Sequence, residues 1–329
     1  MVDLPVLPNS VPGCADAATP SEGRKPDWLR VRAPGGDNYT MIKKTLRERG
    51  LFTVCEEARC PNVGECWGGG TATFMLLGEM CTRGCRFCAV TTGNPGGWID
   101  ADEPRKLAES VALMGLKYIV LTMVDRDDLA DGGAAHVGEC IEHLKLREPD
   151  LIVEALMGDF SGDAAAIDIV IESGLEVFAH NIETVARLQR SVRDARCNYE
   201  QSLAVLRHAK RHALAPYTKS SIMLGLGETH AEVLTTMQDL RDADVDFLTL
   251  GQYLQPTHRH LDVVEWVHPD RFDELRTQGE GMGFGYVAAG PLVRSSYRAG
   301  EFYIESLVRQ RRDGSPTQLP DEAAWPASY

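Results

Sequence analysis

Three cysteines stand at C-x3-C-x2-C spacing in the stretch Cys81-Thr-Arg-Gly-Cys85-Arg-Phe-Cys88. A loop with this spacing can hold three corners of a four-iron, four-sulfur (4Fe–4S) cluster and leave the fourth iron without a protein ligand. Clusters that only carry electrons usually have cysteine at every corner. An open corner therefore points to a small chelating molecule, and S-adenosylmethionine (SAM) offers an amino group and a carboxylate in chelating positions. The competing reading is a zinc site or a redox thiol pair. Zinc sites usually show paired C-x2-4-C spacings completed by a distant Cys or His pair, and nothing completes Cys85-x2-Cys88 in that way.

A second set precedes it. Cys55, Cys60 and Cys66 stand at C-x4-C-x5-C spacing, with Pro61 and Gly64 expected to keep the segment irregular so that the thiols can converge. The spacing fits no common zinc pattern and no histidine lies nearby, so a second cluster with three thiolates is the better reading. Near the other end stands Arg294-Ser295-Ser296-Tyr297-Arg298-Ala299.

The C-x3-C-x2-C loop resembles the hallmark of the radical SAM enzymes. The two cysteine sets in this order, with the Arg-Ser-Ser-Tyr stretch, resemble the lipoyl synthases within that superfamily, from about Arg24 to about Tyr303. The resemblance implies a sulfurtransferase that inserts two sulfur atoms, at C6 and C8, into octanoyl-lysine on lipoyl carrier domains. It implies two 4Fe–4S clusters and SAM as cofactors. One cluster, on Cys81, Cys85 and Cys88, reduces SAM to give a 5′-deoxyadenosyl radical. The auxiliary cluster, on Cys55, Cys60 and Cys66, donates sulfur. Its fourth iron takes a serine of the Arg294-Ser295-Ser296 stretch, expected to be Ser296, with Arg294 beside it in the catalytic group. A hydroxyl is a hard, weakly held ligand on a soft-ligand cluster, suited to leave. Implied partners are octanoylated carrier domains (dehydrogenase E2 subunits and the glycine cleavage H protein), an electron donor such as ferredoxin or flavodoxin, and an iron–sulfur carrier protein. The alternative is another two-cluster sulfur-inserting enzyme, such as a methylthiotransferase or a biotin-synthase-like protein. The chain departs from the family at Met123, at Met157-Gly158 and at Asp262, which bears on cavity shape and leaves the cysteines intact.

Composition is consistent with such an enzyme and excludes other classes. The net charge of -14 argues against nucleic acid as the main partner. Nine cysteines, six of them between Cys55 and Cys88, do not suit a disulfide scaffold and fit reduced thiols in the cytoplasm. No apolar run reaches the length of a membrane span, and the first residues read as neither a signal nor a transit peptide.

The elements that must position these residues follow from periodicity. Residues 1–23 read as a disordered tail, 24–70 as an extension carrying the auxiliary loop, 71–290 as the catalytic domain, and 291–329 as a C-terminal segment with the Arg-Ser-Ser-Tyr stretch and a tail. A helix is expected over Tyr39–Arg49. Strands are expected at Thr73–Leu77, Tyr118–Val124, Ile152–Leu156, Val177–Asn181, Ser220–Leu224, Phe247–Tyr253 and Tyr286–Ala289, with helices between. One of those, Ala231–Asp242, carries a capping box from Thr229 and Glu232. Repeated β-α units imply a parallel sheet covered on both faces, and the resemblance makes it an α/β, partial (β/α)6 TIM-type barrel with N- and C-terminal extensions.

In such barrels the site lies at the C-terminal strand ends. The candidates to meet SAM are Asn181, Glu183 and Lys219, with Glu154 and Asp127 behind them. Asp125, Asp128, His180, Ser221, Gln252 and Tyr253 fall in the same positions. Gly225-Leu-Gly227-Glu228 reads as a strand-to-helix turn beside the adenosine, since Glu228 would repel phosphate. His258, His260, Arg193 and Arg196 are expected either in solvated loops or as a docking patch for the carrier domain.

Overall fold

The computed structural model of the chain describes residues 25–31, 35–57, 60, 62–68, 73–295 and 301–313. Seven short apolar runs become parallel strands: β2 (Thr73–Leu76), β5 (Tyr118–Met123), β6 (Ile152–Leu156), β7 (Val177–Ala179), β8 (Tyr217–Leu224), β9 (Phe247–Gln252) and β10 (Tyr286–Gly290). They pair in that order, and a two-residue strand, β1 (Phe52–Thr53), adds antiparallel to β2. The sheet runs from β1 to β10 without closing, so it is a partial barrel. The seven parallel strands are the seven expected runs, β10 among them. A two-strand ribbon, β3 (Met80–Cys81) and β4 (Thr91–Thr92), brackets the C-x3-C-x2-C loop immediately after β2.

The strands form where the sequence expects them, with boundaries moved by at most three residues and β6 unchanged. Helix Asp37–Arg49 begins two residues early and stops at Gly50, whose positive φ of 64° gives the left-handed cap. Helix His230–Asp242 carries the expected capping box, with Thr229 and Glu232 each bonding the other's backbone.

The two ends of the barrel are built differently. Helix Glu301–Arg312 packs across the N-terminal strand ends, where Tyr303, Ile304, Leu307 and Val308 bury against Tyr118, Ile152, Val177 and Phe247. Tyr303 stacks on Tyr286 with ring centroids 5.3 Å apart. Burying four apolar side chains of this kind contributes on the order of 6–12 kcal/mol before the entropy of ordering them. That end is sealed by apolar packing, which leaves the opposite end to the chemistry.

Candidate active site

A cavity of about 520 Å³ opens at the C-terminal strand ends. Cys81, Cys85 and Cys88 line it, and so do Cys55 and Cys60 of the earlier set. Two cysteine groups that are well separated in sequence thus meet one shared space. Cys66 is buried in the core behind this wall and does not line the cavity.

The auxiliary segment is more regular than Pro61 and Gly64 suggest. Cys55 sits on the helical turn Val54–Glu57, and Cys66 on the short helix Val63–Gly68, which contains Gly64. Backbone bonds from Cys60 to Cys55 and from Cys66 to Asn62 bend the segment back on itself. Burial pushes the Cys55 thiol up to about 11. Such a thiol stays neutral alone, whereas a thiol that binds a metal gives up its proton. Six cysteines in two sets, none of them in a disulfide and five of them on the cavity wall, are a donor set that fits iron–sulfur ligation.

Segment Leu292–Ser295 closes the wall beside Cys60. Asn62 donates to the Leu292 carbonyl at 2.6 Å, tying the auxiliary segment to the far end of the chain. Arg294 donates to the carbonyls of Gln252 and Val293 at 3.1 and 2.8 Å, and its charge faces Cys60. A Cβ on Gly251 would lie 2.1 Å from the Val293 carbonyl oxygen, so only glycine on β9 lets this segment approach. Ser295 lines the cavity, and Ser296 lies outside the described residues.

Backbone contacts fix the C-x3-C-x2-C loop. Gly84 N–H donates to Asp194 at 2.8 Å, and Asp194 N–H donates to the Cys85 sulfur at 3.4 Å. His260 bonds the Cys88 carbonyl at 2.9 Å. Arg83, within the loop, is buried. Its guanidinium meets Asp159 at 2.7 Å, Asp127 at 2.9 Å and Asp125 at 3.7 Å. Burial raises the Asp125 carboxyl to about 6 despite that guanidinium. A Cβ at position 158 would meet the Asp125 carboxylate at 2.3 Å, so Gly158 in the unusual Met157-Gly158 pair makes room for it.

Asn181 and Glu183 both line the cavity, and Asn181 donates to Glu183 at 3.1 Å. Glu183 holds a positive φ of 66°, a strained conformation for a residue with a side chain, and one common at functional sites. Burial raises its carboxyl above the ordinary range, so a cationic partner would be favoured beside it.

Other expected contacts are corrected. Lys219 and Glu154 do not line the cavity. They pair with each other at 2.7 Å, with Tyr118 donating to Glu154 at 2.6 Å. Each lies two residues before a cavity residue on its own strand (Ser221 and Leu156), one inward layer deeper. Asp127 is likewise engaged by Arg83, Arg196 and Thr82 and lies outside the cavity wall. The residues read either as solvated loops or as a docking patch divide. Arg193 is buried on Ser202, Arg196 pairs with Asp194, and His260 clasps the cluster loop. The Gly225 turn is closed by Glu228, whose carboxylate accepts from the Gly225 and Leu226 N–H groups, and it does not line the cavity.

The buried pair carries a prediction. Lys219→Met takes the cation from the buried Glu154 and leaves it, among the described residues, the Tyr118 hydroxyl, and is expected to cost about 3–5 kcal/mol. Denaturant unfolding of the full chain measures this. Adding Glu154→Gln removes the stranded charge and is expected to restore most of the loss.

Sequence reasoning did not find the roles of Arg83, Asp159 and Cys197. Arg83 was visible inside the motif, but its three carboxylate partners come from the ends of β5 and β6. Cys197 lay outside both spacings, and nothing in its neighbourhood announced that it would line the cavity.

Comparisons with known proteins bear on the family and the fold. The family model of the radical SAM superfamily matches residues 75–240. The model of the N-terminal domain of lipoyl synthase of the radical SAM family matches residues 15–60. The chain is 59% identical over 279 residues to lipoyl synthase of Ectopseudomonas mendocina (strain ymp), covering 85% of this chain and 80% of that protein. It is 55% identical over 294 residues to mitochondrial lipoyl synthase of Homo sapiens, covering 88% and 79%. Among solved structures, methylornithine synthase (PylB) aligns with a TM-score of 0.51 at 14% identity, over 85% of this chain and 89% of that one. The [FeFe]-hydrogenase maturase HydG aligns with a TM-score of 0.52 at 13% identity, over 75% and 54%. Those two likenesses concern the fold.

Proposed function

Because the chain belongs to the lipoyl synthase family of the radical SAM superfamily, we propose that its cavity is where octanoyl chains on lipoyl carrier domains receive two sulfur atoms, at C6 and C8. The protein is a SAM-dependent sulfurtransferase with two 4Fe–4S clusters. The observation that carries the residue assignments is the opening of both cysteine sets onto one space.

Cys81, Cys85 and Cys88 hold the cluster that meets SAM, and Cys55, Cys60 and Cys66 hold the auxiliary cluster. Ser296 completes the latter, being next in sequence to Arg294 and Ser295. When bound, these groups supply a low-potential electron for the sulfonium of SAM and the sulfur that is inserted. The chain does the positioning. Glu183 and Asn181 receive the amino group of SAM, where a charge partner relieves the desolvation of Glu183. Arg83 and Asp194 keep the loop in place. Met123, Leu156 and Met223 keep water from the saturated chain, which has no acidic proton for a base to take. Ferredoxin or flavodoxin serves as electron donor, and an iron–sulfur carrier protein reloads the auxiliary site. Cytoplasmic location is the reading for this chain; among the described residues no helix is long and apolar enough to cross a membrane.

The test is an anaerobic reaction of the iron-loaded chain with an octanoyl-lysine peptide, SAM and a reductant, followed by mass. A product heavier by two sulfurs and lighter by two hydrogens is expected. An unaltered peptide, or zinc in place of about eight irons per chain, sinks the reading.

A further inference from the structure

Cys197 belongs to neither cysteine set, yet it is buried on the cavity wall beside Cys85. The turn Asp194–Cys197, closed by a 3.0 Å bond from Cys197 N–H to the Asp194 carbonyl, holds both sulfurs. Its first residue donates to the Cys85 sulfur at 3.4 Å, and its last carries the second thiol on the same cavity wall. Arg83 donates to the Cys197 sulfur at 3.3 Å, and the Arg193 guanidinium acts on it from the same cavity wall. A thiol on a cavity wall is within reach of a small oxidant such as peroxide. Cys197 has no part in the reaction proposed above.

We propose that Cys85 and Cys197 form a reversible disulfide in the iron-free chain, which withholds Cys85 from its cluster until a thiol reductant releases it. The inference rests on the reading of Cys85 as a cluster ligand. The oxidant is a peroxide. The Cys197 sulfur attacks hydrogen peroxide, the O–O bond breaks, and a sulfenic acid and hydroxide form. The Cys85 sulfur then attacks the sulfenic sulfur, expelling its oxygen as a second hydroxide. The protons lost by the two thiols convert both hydroxides to water. Two thiols are thus oxidised, and one peroxide is reduced to two waters. With iron bound, Cys85 is occupied and the pair cannot form, so the lock acts only on the empty site.

The test uses the full-length chain, isolated anaerobically, freed of iron with a chelator and treated with one equivalent of hydrogen peroxide. Alkylation and digestion without reductant are expected to give a Cys85–Cys197 peptide pair, lighter than the two free peptides by two hydrogens and separated by dithiothreitol. The treated chain is expected to take up about half the iron of untreated chain and to recover on reduction. Cys197→Ala is expected to keep full uptake after the same treatment. A disulfide among Cys81, Cys85 and Cys88 in place of that pair overturns the proposal, as does a Cys197→Ala chain that loses uptake like the wild type. If untreated chain takes up only half the iron, the cluster assignment fails instead, and the peptide map, which needs no iron, still decides the disulfide.

Discussion

Cys55→Ala is expected to abolish sulfur insertion while SAM is still cleaved. Cys55 is one of two auxiliary-set thiols on the shared cavity, whereas the C-x3-C-x2-C loop takes its support from Asp194, His260 and Arg83 on the other side. Removing one sulfur from the buried helical turn costs the fold on the order of 1–2 kcal/mol, too little to unfold the chain. Iron is expected to fall from about eight to about four per chain. In the anaerobic reaction 5′-deoxyadenosine continues to form, and no sulfur appears on the peptide. Sulfur on the peptide at the wild-type level would remove Cys55 from the donor site.

The reciprocal change, Cys88→Ala, is expected to stop SAM cleavage and therefore everything after it. Its side chain is a proposed ligand, but its backbone is held independently, through the 2.9 Å contact between its carbonyl and His260 and through its own N–H to the Cys85 carbonyl. The loop therefore keeps its course when the thiol is lost. Iron again falls to about four per chain, this time with the auxiliary cluster retained. Neither 5′-deoxyadenosine nor sulfur product is expected above the level of a reaction without enzyme. Wild-type 5′-deoxyadenosine from this variant would show that SAM is cleaved elsewhere. The two substitutions give equal iron and opposite fates for SAM, which separates loss of one site from general damage.

Much of the barrel was legible because parallel strands buried on both faces read as short apolar runs, and each expected strand overlaps an observed one. The cysteine sets were legible because ligand spacing is a property of local sequence. Depth along the barrel axis was not. Alternation says that Lys219 and Glu154 point inward, but not whether they reach the mouth or the layer beneath it, and only their mutual 2.7 Å contact settles that. Charge was equally ambiguous. Arg193 and Arg196 look alike in sequence, yet one is buried on Ser202 and the other lies half exposed on Asp194. Gly158 looked like an anomaly until Asp125 was seen against it.

Asn62 reaching the Leu292 carbonyl, with Gly251 cut away to admit Val293, has a consequence for how the protein is made. Domains emerge and fold from the N-terminus during synthesis, but here the wall around Cys60 is finished by a segment whose Leu292 lies 230 residues beyond Asn62. A nascent chain stalled after β9 would expose those sulfurs to solvent and to stray metal. The enclosure of the earlier cysteines is therefore completed only after both ends of a 230-residue span have been made.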